Sequence, residues 1–553
     1  MRSFIVKHTI MRKYSLALII ATFFFGTAAI TVNNDKYFEI IKNIEIFTNI
    51  FKEINTHYVD EVDPSALMKI GIDAMLETLD PYTNYVSESQ IENYRISAEG
   101  RYSGIGAMSK EIDGYVTISE VLEGGAAEQG GLKVGDQLIK VNSRSVEGRS
   151  NDDVAKFMRG AQGAEISLTV KRPGTSAPVD LALNRAQVNI PNVPYTGMVS
   201  DEIGYISLTT FTQNAGKNIA KALRDLKKND KLEGVILDLR SNGGGLLSEA
   251  INICNIFVPM GQEVVFTKGK VIDRDQSYKT RNPPIDLDIP LTVLINKTSA
   301  SASEIVSGVM QDLDRGVIIG QRSYGKGLVQ NTRRLGYNSS VKITTSKYYI
   351  PSGRCIQSVE YEDGAPKDIA DDKRAKFKTK NGRTVLDGGG VTPDIKIEEP
   401  QLPDVLKELR KQNMIFKYVT EYSLKHDSIA AAKYYRYKDY PEFKAFLVKN
   451  QFKFDLQGET ALEEMKEKAL KNLSDVKIDA NIKALEKSLK TAKQDDLDEF
   501  EALITKEIEK DIVVRYHYQS GRIKQGLQND REIAEAINVL KDKSRYEKIL
   551  SGK

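Results

Sequence analysis

Histidine is missing from the whole stretch between Tyr58 and Lys425; the four in the chain are His8, His57, His426 and His517. A serine nucleophile within that stretch therefore cannot use the usual imidazole base and needs another proton acceptor. Cysteine is nearly absent: Cys254 and Cys355 are the only two in 553 residues. That excludes a disulfide scaffold and leaves no ligand-spaced set for zinc. Both read as small buried apolar residues. Charge of one sign is lacking too. A net +3 is close to neutral for this length, so no nucleic acid or anionic surface is called for. Tryptophan is absent as well. What is present, 41% hydrophobic and 28% charged residues, describes globular material with length for about two to four domains.

The one long uncharged run lies at the N-terminus. Arg2, Lys7, Arg12 and Lys13 precede an uncharged segment from Tyr14 to Asn34 whose core is Leu16 to Phe25, followed by Gly26, Thr27, Ala28 and Ala29. A charged flank, an apolar core and small residues predict a signal peptide or an uncleaved membrane anchor over 1–34. The basic flank predicts export, to a periplasm or the outer face of the cytoplasmic membrane.

Residues 35–96 predict a helical arm. Ile40, Ile41, Ile44, Phe47, Ile50, Phe51 and Ile54 recur at helical spacing, and Asp63-Pro64 reads as a cap followed by a first helical proline. An amphipathic arm needs a surface to cover, another domain or a second copy, so homo-oligomerisation through the arms is an expectation. Residues 97–187 predict a small β domain: a glycine loop Gly104-Ile-Gly-Ala107, strands at Tyr115–Ile118 and Leu132–Asn142, a helix at Asp152–Met158 and a last strand at Ala164–Val170. This order resembles a PDZ domain. Residues 188–397 alternate strands (Gly204–Leu208, Gly234–Leu239, Leu291–Ile295, Val317–Ile319) with helices (Ala215–Lys227, Leu246–Phe257, Ser303–Leu313). That alternation predicts a parallel sheet covered by helices, with its site outside the carboxyl ends of the strands. Residues 398–553 predict a charged helical extension acting as a cap or assembly surface.

Two strand-to-helix turns carry the chemistry. Asp238-Leu-Arg-Ser-Asn-Gly-Gly-Gly245 leaves an apolar strand and enters a helix. Its glycines and the helix N-terminus suit a developing oxyanion or a phosphate. Asn296-Lys-Thr-Ser-Ala-Ser-Ala-Ser303 leaves the next strand and also enters a helix. Ser301 there is the candidate nucleophile, and the Ala302 N–H could face the same carbonyl. Gly325-Lys-Gly327 follows after one helix and one return strand, which brings Lys326 to the same edge as the candidate base. Gln330 is placed to orient its amine. Ser-Lys pairs are an established variant of the triad logic, and an apolar setting favours the free amine.

Taken together, Leu79-Asp-Pro-Tyr82, Gly104-Ile-Gly106, Asp238-Leu-Arg240 with Gly244-Gly245, Ser299-Ala-Ser-Ala-Ser-Glu304, Gln311-Asp312, Gly325-Lys-Gly327 with Gln330, Tyr348 to Gln357 and Gly389-Gly-Val-Thr-Pro-Asp394 resemble the C-terminal processing peptidases, or tail-specific proteases. The resemblance runs from Leu67 to Asp394. It implies a multidomain α/β fold with a crotonase-like core and a serine endopeptidase that forms an acyl-enzyme on Ser301. Lys326 is then the base, supported by Gln330, with oxyanion donors at Ala302 and at Gly244 or Gly245. Where this chain has Gly243, the family usually has proline. The PDZ-like domain is expected to capture a substrate's free C-terminus on Ser103, Gly104, Ile105, Gly106 and Ala107, with Ile105 lining the side-chain pocket. Partners are protein or peptide substrates; no cofactor and no metal is expected. Two other readings stay open: a non-catalytic peptide-binding scaffold and a crotonase-type thioester enzyme.

Overall fold

The computed structural model describes residues 36–271, 275–357, 361–362, 365–366, 370–399, 401–454, 461–466 and 476–552. The expected signal or anchor at 1–34 lies outside them. No helix among the described residues is long and apolar enough to cross a membrane. The chain divides into two units at Tyr85/Val86. The first holds helices over 36–57 and Pro64–Glu77. Asp63 caps the second, as expected, accepting from the N–H of Ser65 at 2.8 Å and of Ala66 at 3.2 Å. Ile41, Ile44, Phe47 and Ile50 are exposed on the first helix.

In the second unit, residues 101–189 build the PDZ-like domain. Antiparallel strands run in the order Ala107–Ile112, Tyr115–Val121, Gln137–Val141, Glu165–Lys171, Val179–Asn184. Alternation drives the packing: Ile166, Leu168 and Val170 point inward along one strand. Val179–Asn184 and Ala186–Asn189 lie beyond the expected last strand, and the latter pairs with Arg101–Gly104.

The core of the second unit is a six-stranded sheet. Its strands are β1 (Tyr195–Met198), β2 (Ile203–Ser207), β3 (Gly234–Asp238), β4 (Leu291–Ile295), β5 (Val317–Gly320) and β6 (Ile395–Lys396), side by side in chain order. β1 is antiparallel and the rest are parallel. Strands β2 to β5 are buried along their whole length, because both faces are covered, and so they read as continuous apolar runs. One face (Ile206, Val235, Leu237, Val293, Ile295, Ile318) packs on helices α1 (Ala215–Leu226), α2 (Leu247–Phe257) and α3 (Ala302–Asp312).

After the core come α4 (Met414–Lys425), α5 (Glu501–Gly526) and α6 (Arg531–Lys541). The second sheet face (Ile203, Tyr205, Ile236, Leu294, Val317, Ile319) packs on Ile533, Ala536, Val539 and Leu540 of α6. Each large side chain buried there contributes about 1.5–3 kcal/mol. The helical extension is therefore more than a cap: its last part is one of the layers of the core. Its earlier helices hold the PDZ-like domain. Lys110 donates to Asn413 at 2.8 Å and lies over the Phe416 ring, Lys417 pairs with Asp113, and Tyr518 in α5 donates to Glu128.

Strands Leu328–Gly336, Ser339–Tyr349, Glu263–Gly269 and Gln276–Lys279 pair in that order beside the core. They were not evident from the strand–helix alternation.

Candidate active site

A cleft of about 570 Å³ opens over the carboxyl ends of β3 and β4. Ser301 and Lys326 both line it, with Gly243, Gly244, Gly245, Ala302 and Gln330. Leu246, Leu247, Ile305, Leu328 and Val329 supply apolar wall. The expected catalytic and oxyanion residues thus come together at one sheet edge.

Ser301 is the N-cap of α3, with φ +55° and ψ −113°. A non-glycine residue there is strained by roughly 1–3 kcal/mol and persists only when its surroundings impose it. The neighbouring serines do the imposing. Ser299 and Ser303 are fully buried. Ser299 Oγ donates to the Leu239 carbonyl and Ser303 Oγ to the Asn242 carbonyl, each at 2.8 Å. Both bonds tie the elbow to the glycine loop that follows β3. Of the three serines in the motif, only Ser301 faces the cleft. Glycine is required at 244, whose φ is +98°: a Cβ there would lie 2.7 Å from the Ala300 oxygen and 2.9 Å from both Ala302 N and Ser301 Cβ.

Glu304 is the hub of the site. Its fully buried carboxylate accepts from the N–H of Ser301 (2.8 Å), Gly325 (2.7 Å) and Lys326 (2.9 Å) and from Ser323 Oγ (2.6 Å). Burial raises its carboxyl to about 7 against the opposing pull of these four donors. Tyr348 complements it. Its buried hydroxyl donates to the Lys326 carbonyl and lies 3.2 Å from that of Ser301. One carboxylate thus holds both amides, and one phenol both carbonyls, of the two residues expected to react. Tyr348→Phe keeps the ring and removes the bridge. A net hydrogen bond is worth about 0.5–1.5 kcal/mol, so turnover is expected to fall roughly threefold to tenfold in peptide-cleavage assays, with KM little changed.

Donor accounting separates the glycines. The Gly244 N–H is taken by Asn242 Oδ1 at 2.9 Å, and the Gly244 carbonyl by Phe211 N at 3.0 Å. The Gly244 N–H is thus engaged within its own loop and is not an open oxyanion donor. The N–H groups of Ala302 and Gly245 take no acceptor among the described residues. Gln330 donates its amide to Thr344 Oγ1 at 3.2 Å. Glu304 and Tyr348 had no role in the sequence reading. Ser301-x-x-Glu304 is a capping-box spacing, which was the available signal for the first; the second had none beyond its place in the matching segment.

In the PDZ-like domain, Ser103 and Gly104 end a strand, Ile105 and Gly106 form the turn, and Ala107 begins the next strand. Ile105 lies inside the domain. It is only 2% exposed, in the domain core with Ile118 and Val154. Ser103 Oγ is buried and has no hydrogen-bond partner among the described residues. The Tyr102 phenol meets the Gly106 backbone, and the Arg159 guanidinium lies 5.9 Å from the Tyr102 ring.

Comparison with known proteins matches residues 202–371 to "Peptidase family S41", 95–171 to "PDZ domain" and 405–540 to "Probable PDZ-protease, C-terminal helical domain". A "Carboxy-terminal-processing protease" of Bartonella bacilliformis is 32% identical over 382 residues, 68% of this chain and 80% of that protein. A "Probable CtpA-like serine protease" of Staphylococcus aureus is 32% identical over 318 residues, 57% of this chain and 62% of that protein. Among solved structures, a photosystem II D1 C-terminal processing protease is 26% identical, with a TM-score of 0.36, covering 64% of this chain and 92% of its own. The chain belongs to the S41 family of carboxy-terminal-processing proteases. It joins a PDZ domain, a peptidase core and a helical C-terminal domain in one α/β protein.

Proposed function

We propose that the chain is a serine endopeptidase that cleaves proteins near their C-termini through an acyl-enzyme on Ser301. The observation that carries this is a strained Ser301 at the start of α3, in one cleft with Lys326 and tied to it through Glu304. Ser301 Oγ attacks the scissile carbonyl while Lys326 Nζ, as free amine, takes its proton. The carbonyl oxygen becomes an oxyanion, received by the N–H groups of Ala302 and Gly245 and by the N-terminus of α3. Lys326 then hands the proton to the departing amine, and water releases the acyl group by the same path. Gln330, whose amide nitrogen goes to Thr344, has its oxygen to offer the lysine. The core is of crotonase-like type.

The PDZ domain captures the substrate's free C-terminus. Ser103 Oγ, the backbone around Gly104 to Ala107 and the charge of Arg159 suit a terminal carboxylate. Export through the 1–34 segment, to the periplasm or the outer membrane face, fits such substrates. The exposed apolar residues of helix 36–57 suit pairing with a second copy. Charge-assisted hydrogen bonds are worth about 1.5–3 kcal/mol. Amidating a substrate's C-terminus is therefore expected to lower kcat/KM by roughly 10- to 100-fold. Equal cleavage of free and amidated tails would rule out tail capture. A binding scaffold would hold the free tail and never turn it over.

A further inference from the structure

Two loops bring the reacting groups to the cleft: 240–245 after β3 and 321–327 after β5. Their roots meet at one point. Arg240 opens the first loop. Its Nε and Nη2 are held by Asp238, with contacts of 3.0, 3.1 and 2.6 Å, and Asp238 also accepts from the Tyr205 hydroxyl at 2.7 Å. Gln321 opens the second loop, its N–H bonded to the Ile295 carbonyl at the end of β4.

Glu532 of α6 reaches both. One of its oxygens accepts from Arg240 Nη1, and the other from Gln321 Nε2 at 2.5 Å. Asp530 caps α6 through the N–H of Glu532 and Ile533 and also takes Arg240 Nη1 at 2.7 Å. The side chains of Arg240, Asp238 and Glu532 are largely buried, at 17%, 8% and 15% exposed. Ion pairs so shielded hold geometry far better than surface pairs. The approach is set by the apolar packing of Ile533, Ala536, Val539 and Leu540 on the sheet.

We propose that Glu532, with Asp530, is a positioning residue for catalysis: it clamps the roots of the glycine loop and the Lys326 loop from beneath the sheet. The C-terminal helical domain thereby acts on the register of Gly245 against Ser301 and of Lys326 against Ser301, with no contact to substrate. This rests on the reading of Ser301 and Lys326 as the reacting pair.

The test compares Glu532→Ala, Glu532→Gln and Glu535→Ala in the full chain. Glu535 lies on the same helix, away from both loops, and pairs with Arg545 of the helix that follows, so it controls for the stability of α6. The substrate is a short peptide with an internal quencher, at pH 7.5. Glu532→Ala is expected to lower kcat at least tenfold with KM within about twofold; Glu532→Gln keeps an acceptor for one of the two donors and turns an N–H toward the other, and is expected to lower kcat less than Glu532→Ala does. Glu535→Ala should leave both constants unchanged. An unchanged kcat in Glu532→Ala overturns the clamp. So does a fall in kcat that merely follows the folded fraction measured by circular dichroism. If Glu532→Ala fails to fold, Glu532→Gln and Asp530→Asn decide together: wild-type kcat in both overturns the clamp, and a kcat lowered beyond the loss of folded fraction in either supports it. Should the wild type and Ser301→Ala cleave equally, the dyad reading fails instead, and the two failures are distinct.

Discussion

Ser301→Ala and Lys326→Ala are each expected to lower peptide turnover by about 10⁴-fold or more, the scale on which members of a nucleophile–base unit act. Neither should unfold the protein. Ser301 Oγ faces the cleft, and the hydrogen bonds that shape the elbow run through its backbone amide and through Ser299 and Ser303. The Lys326 loop is likewise held by its main chain, to Glu304 and Tyr348. The double variant should be hardly worse than either single one, because in the proposed mechanism the two side chains serve one proton transfer. Turnover assays on thermally matched samples decide this. Activity within tenfold of wild type in either single variant removes the proteolytic assignment.

Glu304→Gln has the second largest expected effect, and its cause is structural. The carboxylate offers acceptors only, and four donors converge on it. An amide group replaces one oxygen by a donor. If it replaces Oε1, the Gly325 N–H is orphaned; if Oε2, the N–H groups of both Ser301 and Lys326. Each buried orphan costs about 1–3 kcal/mol. The elbow and the lysine loop then lose their common anchor, and a displacement near 1 Å is enough for roughly 100-fold in turnover. Unfolding titrations and kcat measured on the same preparation give both numbers.

Glu304 also sets a pH dependence. Burial raises its folded-state carboxyl from 4.5 to about 7, so between those values the native state binds the proton more firmly than the unfolded chain. Stability from this group is therefore fully present below about pH 4.5 and is lost as pH rises through 7. Relative to Glu304→Gln, the wild type should lose stability between pH 5 and 8. A constant difference over that range would contradict it.

The parts of this protein that were legible in its sequence are those written in local pattern. Strands β2 to β5 are apolar throughout because both faces are covered, and their helices carry the complementary stripe. Ser301 and Lys326 stood out because the histidine-free stretch leaves few ways to activate a serine. The hairpin Leu328–Gly336/Ser339–Tyr349 was missed because Gln330, Asn331, Thr332, Arg333 and Arg334 carry little apolar alternation on a largely exposed strand. The choice between Gly244 and Gly245 depends on where the Asn242 side chain goes, which no spacing reports. That Ile105 belongs to the domain core is likewise not written in its place between glycines. Amphipathicity in α6 says that one face is buried and not what buries it. That its partner is a sheet more than 200 positions earlier is knowledge that only the folded chain holds.

The sheet's second covering, α6, is made long after the rest. At about 5–20 residues per second, a ribosome reaches Asp530 roughly 10–50 s after Ser301. Through that interval the growing polypeptide already carries Ser301 and Lys326, while the α6 side chains that pack with Ile236, Leu294 and Ile319 are not yet made. A copy terminated before Asp530 lacks the Glu532 clamp proposed above and is expected to show no turnover, so the last-made helix would decide when the chain becomes active.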